Sequence, residues 1–258
     1  MTLRFVLSTA ECKDLQPQFG AIQKTFNDCV SIGLEAIVES LIDHPLAKVY
    51  WDHSKEALES CAEKTSSFLD IPGVVGFLDG NKLRSLSPED YYDQNRDYNG
   101  WTKDVNRNLL LLWTPHGKIV DAVVNAPGNF HDSKSARIGN IYKHISKLPD
   151  GYKVVCDDAF TTGGFMNDKL VKTKECFDEE KAQSGYDNSL THLRQCSEWG
   201  NHTLTGVFRT LQLQMPTDNV RRAKLLWACI LLCNWRCETV GRNQIKTYFD
   251  HINKEKKI

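Results

Sequence analysis

The chain has 258 residues, of which 41% are hydrophobic, 25% charged and 10% aromatic. This is the composition of an ordinary folded domain and excludes a largely disordered, collagen-like or coiled-coil protein. The formal net charge of −1 hides an imbalance, because residues 199–258 carry ten Lys and Arg against four Asp and Glu and leave the remainder acidic. Such an asymmetry suits a carboxylate site beside a phosphate-contacting surface, and equally a solvated helix face with a basic tail.

The first residues show no export signal, and the longest mainly apolar run, 223–233, is too short to cross a bilayer. A soluble intracellular protein with no membrane association is therefore expected. Nine cysteines without a CxxC pair read as free thiols of a reducing compartment. Cys229, Cys233 and Cys237 share one helix face and read as core, since no second ligand pair completes a thiolate metal site.

In chain order, Ile22, Phe26, Cys29, Val30, Ile37, Val38 and Leu41 predict an amphipathic helix over 21–43. A second helix is expected over 54–68, with Ser54 as its N-cap. The breaker Asp70-Ile71-Pro72-Gly73 follows, then a buried strand over 74–78 that should end at Asp79-Gly80. The runs 109–113 and 119–124, joined through Pro115 and Gly117, predict an antiparallel hairpin. Residues 127–133 break the sheet and a helix over 133–145 follows, with Asp132 or Ser133 available to cap it. A strand over 152–156 ends at Asp157-Asp158. Residues 161–188 read as a loop or loosely helical insertion. Helices are expected over 190–211 and, after Pro216, over 219–237. No internal repeat is visible.

Two apolar runs thus end in aspartates, Asp79 and Asp157, and a third acid, Glu198, lies on a late helix. Carboxylates at the carboxyl ends of buried strands stand where open α/β sheets build their sites. Three converging carboxylates repel one another unless a hard, oxygen-seeking divalent cation neutralises them. Strand-end aspartates are also common as caps and turn formers, so spacing alone leaves a structural role open.

The ordered series Phe77-Leu78-Asp79-Gly80, Tyr98-Asn99-Gly100-Trp101-Thr102-Lys103, Pro127-Gly128-Asn129-Phe130-His131-Asp132-Ser133 and Cys156-Asp157-Asp158-Ala159-Phe160 resembles the nuclease domain of PIF/Harbinger-type DDE transposases. Arg194 to Gly200, Gly206-Val207-Phe208 and Gly241 to Ile245 resemble its C-terminal portion, so the resemblance covers residues 65–250. Asn81-Lys82 stand where that family often has a small hydroxyl residue and His. The resemblance implies an α/β, RNase H-like fold: a central mixed five-stranded sheet flanked by helices, with a short helical N-terminal lead. It divides the chain into a lead at 1–70, a possible remnant of a helix-turn-helix region, a nuclease domain at 71–250 and a basic tail at 251–258.

By the same resemblance, Asp79, Asp157 and Glu198 are the catalytic, metal-holding acids, with Mg²⁺ or Mn²⁺ as cofactor and DNA as substrate. Asp158 is the rival of Asp157. Asp132 is an auxiliary acid or a helix cap. Arg194, one turn before Glu198, either orients that carboxylate or contacts phosphate. Arg209, Arg221, Arg222 and Lys224 are candidates for backbone contact with DNA. A nuclear location and a separate DNA-binding accessory protein are implied in the same way. The alternative is a domesticated or decayed transposase that serves as a non-catalytic nuclear DNA-binding or protein-interaction module.

Overall fold

A computed structural model describes residues 1–160, 168–172 and 186–255. The central sheet is built from β1 (Val74–Arg84), β3 (Asp104–Trp113), β4 (Ile119–Pro127), β5 (Lys153–Cys156) and β6 (Leu170–Val171), with the two-residue β2 (Tyr98–Asn99) added beside the start of β3. β3 lies antiparallel to both β1 and β4, while β5 runs parallel to β1 and β6 parallel to β5. The spatial order β4-β3-β1-β5-β6 is the mixed sheet of an RNase H-like fold. It has six strands rather than the expected five, because the short β2 pairs through Tyr98↔Val105 and Asn99↔Asp104.

β3 explains why the sheet is buried on both faces. Leu109, Leu111 and Trp113 point into one apolar cluster, and Leu110 and Leu112 into the other, as the two-residue period of a strand requires. The first cluster is covered by α3 (Gln23–Leu41), α8 (Tyr186–Val207), α9 (Asn219–Val240) and α10 (Gln244–Glu255). The second is covered by α4 (Lys55–Thr65), α6 (Asp132–Ile138) and α7 (Ile141–Ile145). The short α1 (Thr2–Val6) and α2 (Cys12–Leu15) pack beside α3, and α5 (Tyr91–Asp97) leads into β2. The expected cap of α4 is present, with Ser54 Oγ accepting from the Ala57 amide at 3.3 Å.

Four expectations need correction. β1 does not end at Asp79-Gly80 but continues to Arg84, held by antiparallel pairing to β3 from Asp79↔Leu111 to Arg84↔Asn106. The helix over 133–145 is two helices, parted at Gly139 and Asn140, the latter in the left-handed region at φ 64°. The N-terminal lead is not set apart, since Val6, Leu15, Phe26, Val30 and Leu34 join the same buried cluster as Phe77 and Trp113. Nor are residues 251–255 a tail. They close α10, whose Phe249 is fully buried and stacks on Phe77 at 5.9 Å and 7°. The insertion expected over 161–188 lies largely outside the described residues, as does Cys176. Cys61, Cys196, Cys229, Cys233 and Cys237 are buried and form no disulfide, and burial pushes the Cys233 thiol up to about 12. Among the described residues no helix is long and apolar enough to cross a membrane.

Candidate active site

The strand period decides where the acids point. Asp79 lies two residues past Phe77, and Asp157 two past Val155, both in the cluster under α8, so both side chains turn to that layer. The parallel pairing of β1 with β5 stops at Leu78↔Cys156. The next residue of each strand is therefore an aspartate, and the two stand side by side where the parallel part of the sheet ends.

Helix α8 brings the rest. Arg194, Glu198 and Asn201 recur at i, i+4 and i+7 and share one face. Gly200 lets that helix close on the sheet, because a Cβ there would come within 2.5 Å of the buried Trp113 ring. Asn201 Nδ2 donates to Asp79 Oδ2 at 3.0 Å, and its Oδ1 accepts from Trp113 Nε1 at 3.4 Å. Arg194 Nη1 donates to Asp157 Oδ1 at 3.1 Å and Nη2 to Glu198 Oε1 at 3.2 Å. One guanidinium thus ties together two of the three acids. Asp157 also accepts from the Asp158 amide at 2.7 Å, so it is the Asp157 carboxylate that faces Arg194.

Asp132 arrives from the opposite layer. Gly80 turns its bare Cα toward α6, and a Cβ there would lie 2.8 Å from the Asp132 carboxyl carbon. Asp132 is the first helical residue of α6, and His131 holds the N-cap position without a side-chain cap bond. The expected capping role is therefore corrected: this carboxylate leans over Gly80 toward Asp79.

The electrostatics follow from this crowding. Burial pushes Asp79 up to about 7. The Gly80 amide, donating at 2.8 Å, opposes the shift, while Asp157, Asp132 and Glu198 add to it. Asp132 is also raised, by burial first; Lys82 pulls it down and Asp157 pushes it up. The proton that Asp79 keeps relieves first the loss of hydration on burial and then the crowding of like charge.

The donors suit a hard divalent cation, since carboxylate oxygens are the ligand chemistry such ions prefer. They are not drawn into a chelate, however. Among the described residues no three acidic, His or Cys side chains stand close enough together to hold a metal ion. Asp79, Asp157 and Glu198, the acids expected to hold metal, are thus gathered at one edge of the sheet without forming a closed chelate. The Arg194 guanidinium lies between Asp157 and Glu198 and provides there the positive charge that a cation would.

A protein-family model described as DDE superfamily endonuclease matches residues 78–234, from the residue before Asp79 to the middle of α9. The chain belongs to the DDE superfamily endonucleases. In this DDE chain the match spans both strand-end aspartates and Glu198. Among solved structures, a chain in the "Crystal structure of a pre-cleavage Mos1 transpososome" is similar at 11% identity and a TM-score of 0.25, over 90% of this chain and 78% of that one. That likeness is too loose to place any residue. No curated protein matches the chain.

The basic candidates part company. Arg222 is fully buried, and its guanidinium donates to Asn125 Oδ1, to the Pro216 and Thr217 carbonyls and to Asn219 Oδ1. It cannot reach DNA, and its expected role is corrected to a structural one. Arg221 reaches Asn27 at 3.4 Å and Lys224 pairs with Glu35 at 2.8 Å, so both tie α9 to α3. Arg209 is exposed on a 3₁₀ turn (Arg209–Gln212). Leu211 and Gln212 of that turn border an open groove of about 430 Å³, shared with Asp79, Lys82, Glu198 and Asn201. Asn201 and Gly80 were not foreseen. Their signals, an amide one turn after the glutamate and a glycine directly after the aspartate, exist in the sequence but are unspecific.

Proposed function

We propose that this chain is a divalent-cation-dependent nuclease of transposase descent, acting on DNA phosphodiester bonds, with Asp79, Asp157 and Glu198 as its metal-holding acids. The observation that carries this reading is the half-buried Asp79, pushed up to about 7 among three further carboxylates at the end of two parallel strands. Asp79, Asp157 and Glu198 would hold Mg²⁺ or Mn²⁺, which would supply Lewis-acid activation of water or a 3′-hydroxyl and stabilisation of the leaving oxygen. The chain's own part is to hold and orient. Asn201 fixes one oxygen of Asp79 and the Gly80 amide fixes the other. Asp132 adds a fourth carboxylate from the α6 layer, and Arg194 keeps Asp157 and Glu198 apart from solvent counterions until it is displaced. Arg209 contacts the backbone of a strand lying in the groove, and Lys82 flanks the acids on their other side. The ordered motif series supports placing the chain in the PIF/Harbinger subgroup, with a nuclear location and a separate DNA-binding partner.

Arg194 also favours a second reading. A guanidinium already seated between two of the acids suits a domesticated, non-catalytic nuclear DNA-binding or protein-interaction module that keeps the fold. Nicking of supercoiled plasmid separates the two. The nuclease reading expects Mg²⁺- or Mn²⁺-dependent nicking that falls to background in Asp79→Asn with its circular dichroism unchanged. Equal nicking by the variant and the parent, or none by either, rejects it.

A further inference from the structure

Among the described residues Trp101 is the most exposed large aromatic, at 90%, and a side chain of that size is ordinarily drawn inward. Its exposure is built. Asn99 is buried beneath the turn; its Nδ2 donates to the Gly128 carbonyl at 2.6 Å, and its Oδ1 accepts from the amides of Trp101 at 3.0 Å and Thr102 at 3.1 Å. Gly128 packs so tightly there that a Cβ would meet the Asn106 and Asp97 carbonyls at 2.2 Å. A buried amide therefore fixes the backbone that holds the indole in solvent.

The indole is not isolated. Trp101, Tyr98, Phe130, His131, Lys82 and Asp132 line a cavity of about 420 Å³, within the ~300–1,000 Å³ of pockets that enclose small ligands. Phe130 is anchored by Asn108 Nδ2, which donates to its carbonyl at 2.7 Å, and Lys134 Nζ lies 3.6 Å from its ring centroid. Aromatic faces and two lysines make a surface for a flat, π-faced group on an anionic chain. Its location completes the case. Asp132 borders this cavity and leans toward Asp79, and Lys82 borders both the cavity and the groove of the acids. A base that stacks on Trp101 must have left its place in the duplex, where its faces are taken by its neighbours.

We propose that the cavity of Tyr98, Trp101 and Phe130 receives one unpaired nucleobase of the DNA strand whose phosphate lies at the acids, Trp101 being its stacking platform. This rests on the nuclease reading for the position of the phosphate but is tested without cleavage. Fluorescence anisotropy is measured on the Asp79→Asn chain with a short labelled duplex carrying one bulged thymine, and with the same duplex fully paired. The expected result is tighter binding of the bulged duplex. Adding Trp101→Ala should remove most of that preference, weakening the bulged complex about 5- to 100-fold, as loss of one base–aromatic stack does. Trp101→Phe should retain most of it. Equal affinity for the two duplexes, a preference that survives Trp101→Ala, or an equal loss for both duplexes overturns the proposal. A Trp101-dependent preference in a chain whose parent fails to nick plasmid would leave the pocket standing and reject the nuclease.

Discussion

Two arginine–carboxylate clusters among the described residues are built to opposite ends. Under the β2–β3 turn, Asp97 pairs with Arg107 and lies near Arg96 and Arg222. The paired side chains of Asp97 and Arg107 are only 1% and 5% exposed. There three arginines face three acids, Asp97, Asp93 and Asp218, and carbonyls and amides take up the spare donors of Arg222. At the carboxyl edge of the sheet the acids are in excess: Arg194 is the arginine joining Asp157 and Glu198, with Asp79 and Asp132 close by, and its side chain is 35% exposed. The same chemistry is structural where buried charge is compensated, and demands a cation where acids are in excess beside solvent.

The contrast breaks most visibly in stability. Arg222→Ala should cost about 3–5 kcal/mol, since it leaves the Pro216 and Thr217 carbonyls and the Asn125 and Asn219 amide oxygens without their buried donor, whereas Arg194→Ala should cost less than ~1 kcal/mol because its pairs are part-exposed. Urea denaturation of both variants reads the difference, and comparable losses would erase it.

A second, smaller effect lies in pH. Asp79 is raised from an ordinary 3.8 to about 7, so the folded state binds a proton that the unfolded state has released. Its contribution is fully present below pH ~4 and is lost as pH rises through about 7. The cation-free protein should therefore lose a few kcal/mol of stability across that window, and Asp79→Asn should flatten the loss. Thermal melts in chelator from pH 4 to 8 (roughly the span of the shift) measure it. A parallel pH dependence in the variant would assign the loss elsewhere.

The smallest expected effect sharpens the site itself. Asn201→Ala removes the donor at 3.0 Å from Asp79 and the acceptor of the Trp113 indole. It should cost about 1 kcal/mol by urea denaturation and raise Asp79 further, because the hydrogen bond favours the charged form. An NMR titration of the Asp79 carboxyl carbon would show the second effect, and an unmoved midpoint would deny Asn201 its orienting role.

The sequence made the sheet's core readable because strands buried on both faces are continuous apolar runs, as over 109–113. The far half of β1 was hidden for the opposite reason. Asp79-Gly80-Asn81-Lys82 has the composition of a turn, and only its pairing with β3 makes it strand. Helix α10 was legible in principle, as Ile245, Tyr248, Phe249 and Ile252 follow helical spacing. Arg222 was misread because Arg221, Arg222 and Lys224 look like one basic patch, while the partners that bury Arg222 are carbonyls and a distant Asn125. The strand-end acids were legible from their motif. That Arg194 would bridge two of them, and that Asp132 would lean across Gly80 from the other layer, depends on packing that no local pattern records.

Titration calorimetry with Mn²⁺ shows whether the acids at the sheet's edge are short of a cation. Mn²⁺ should bind with release of protons near pH 7, as Asp79 gives up its own, and Asp79→Asn and Asp157→Asn should each abolish the binding. Binding that survives both substitutions, or no binding by the parent chain, would contradict that shortage.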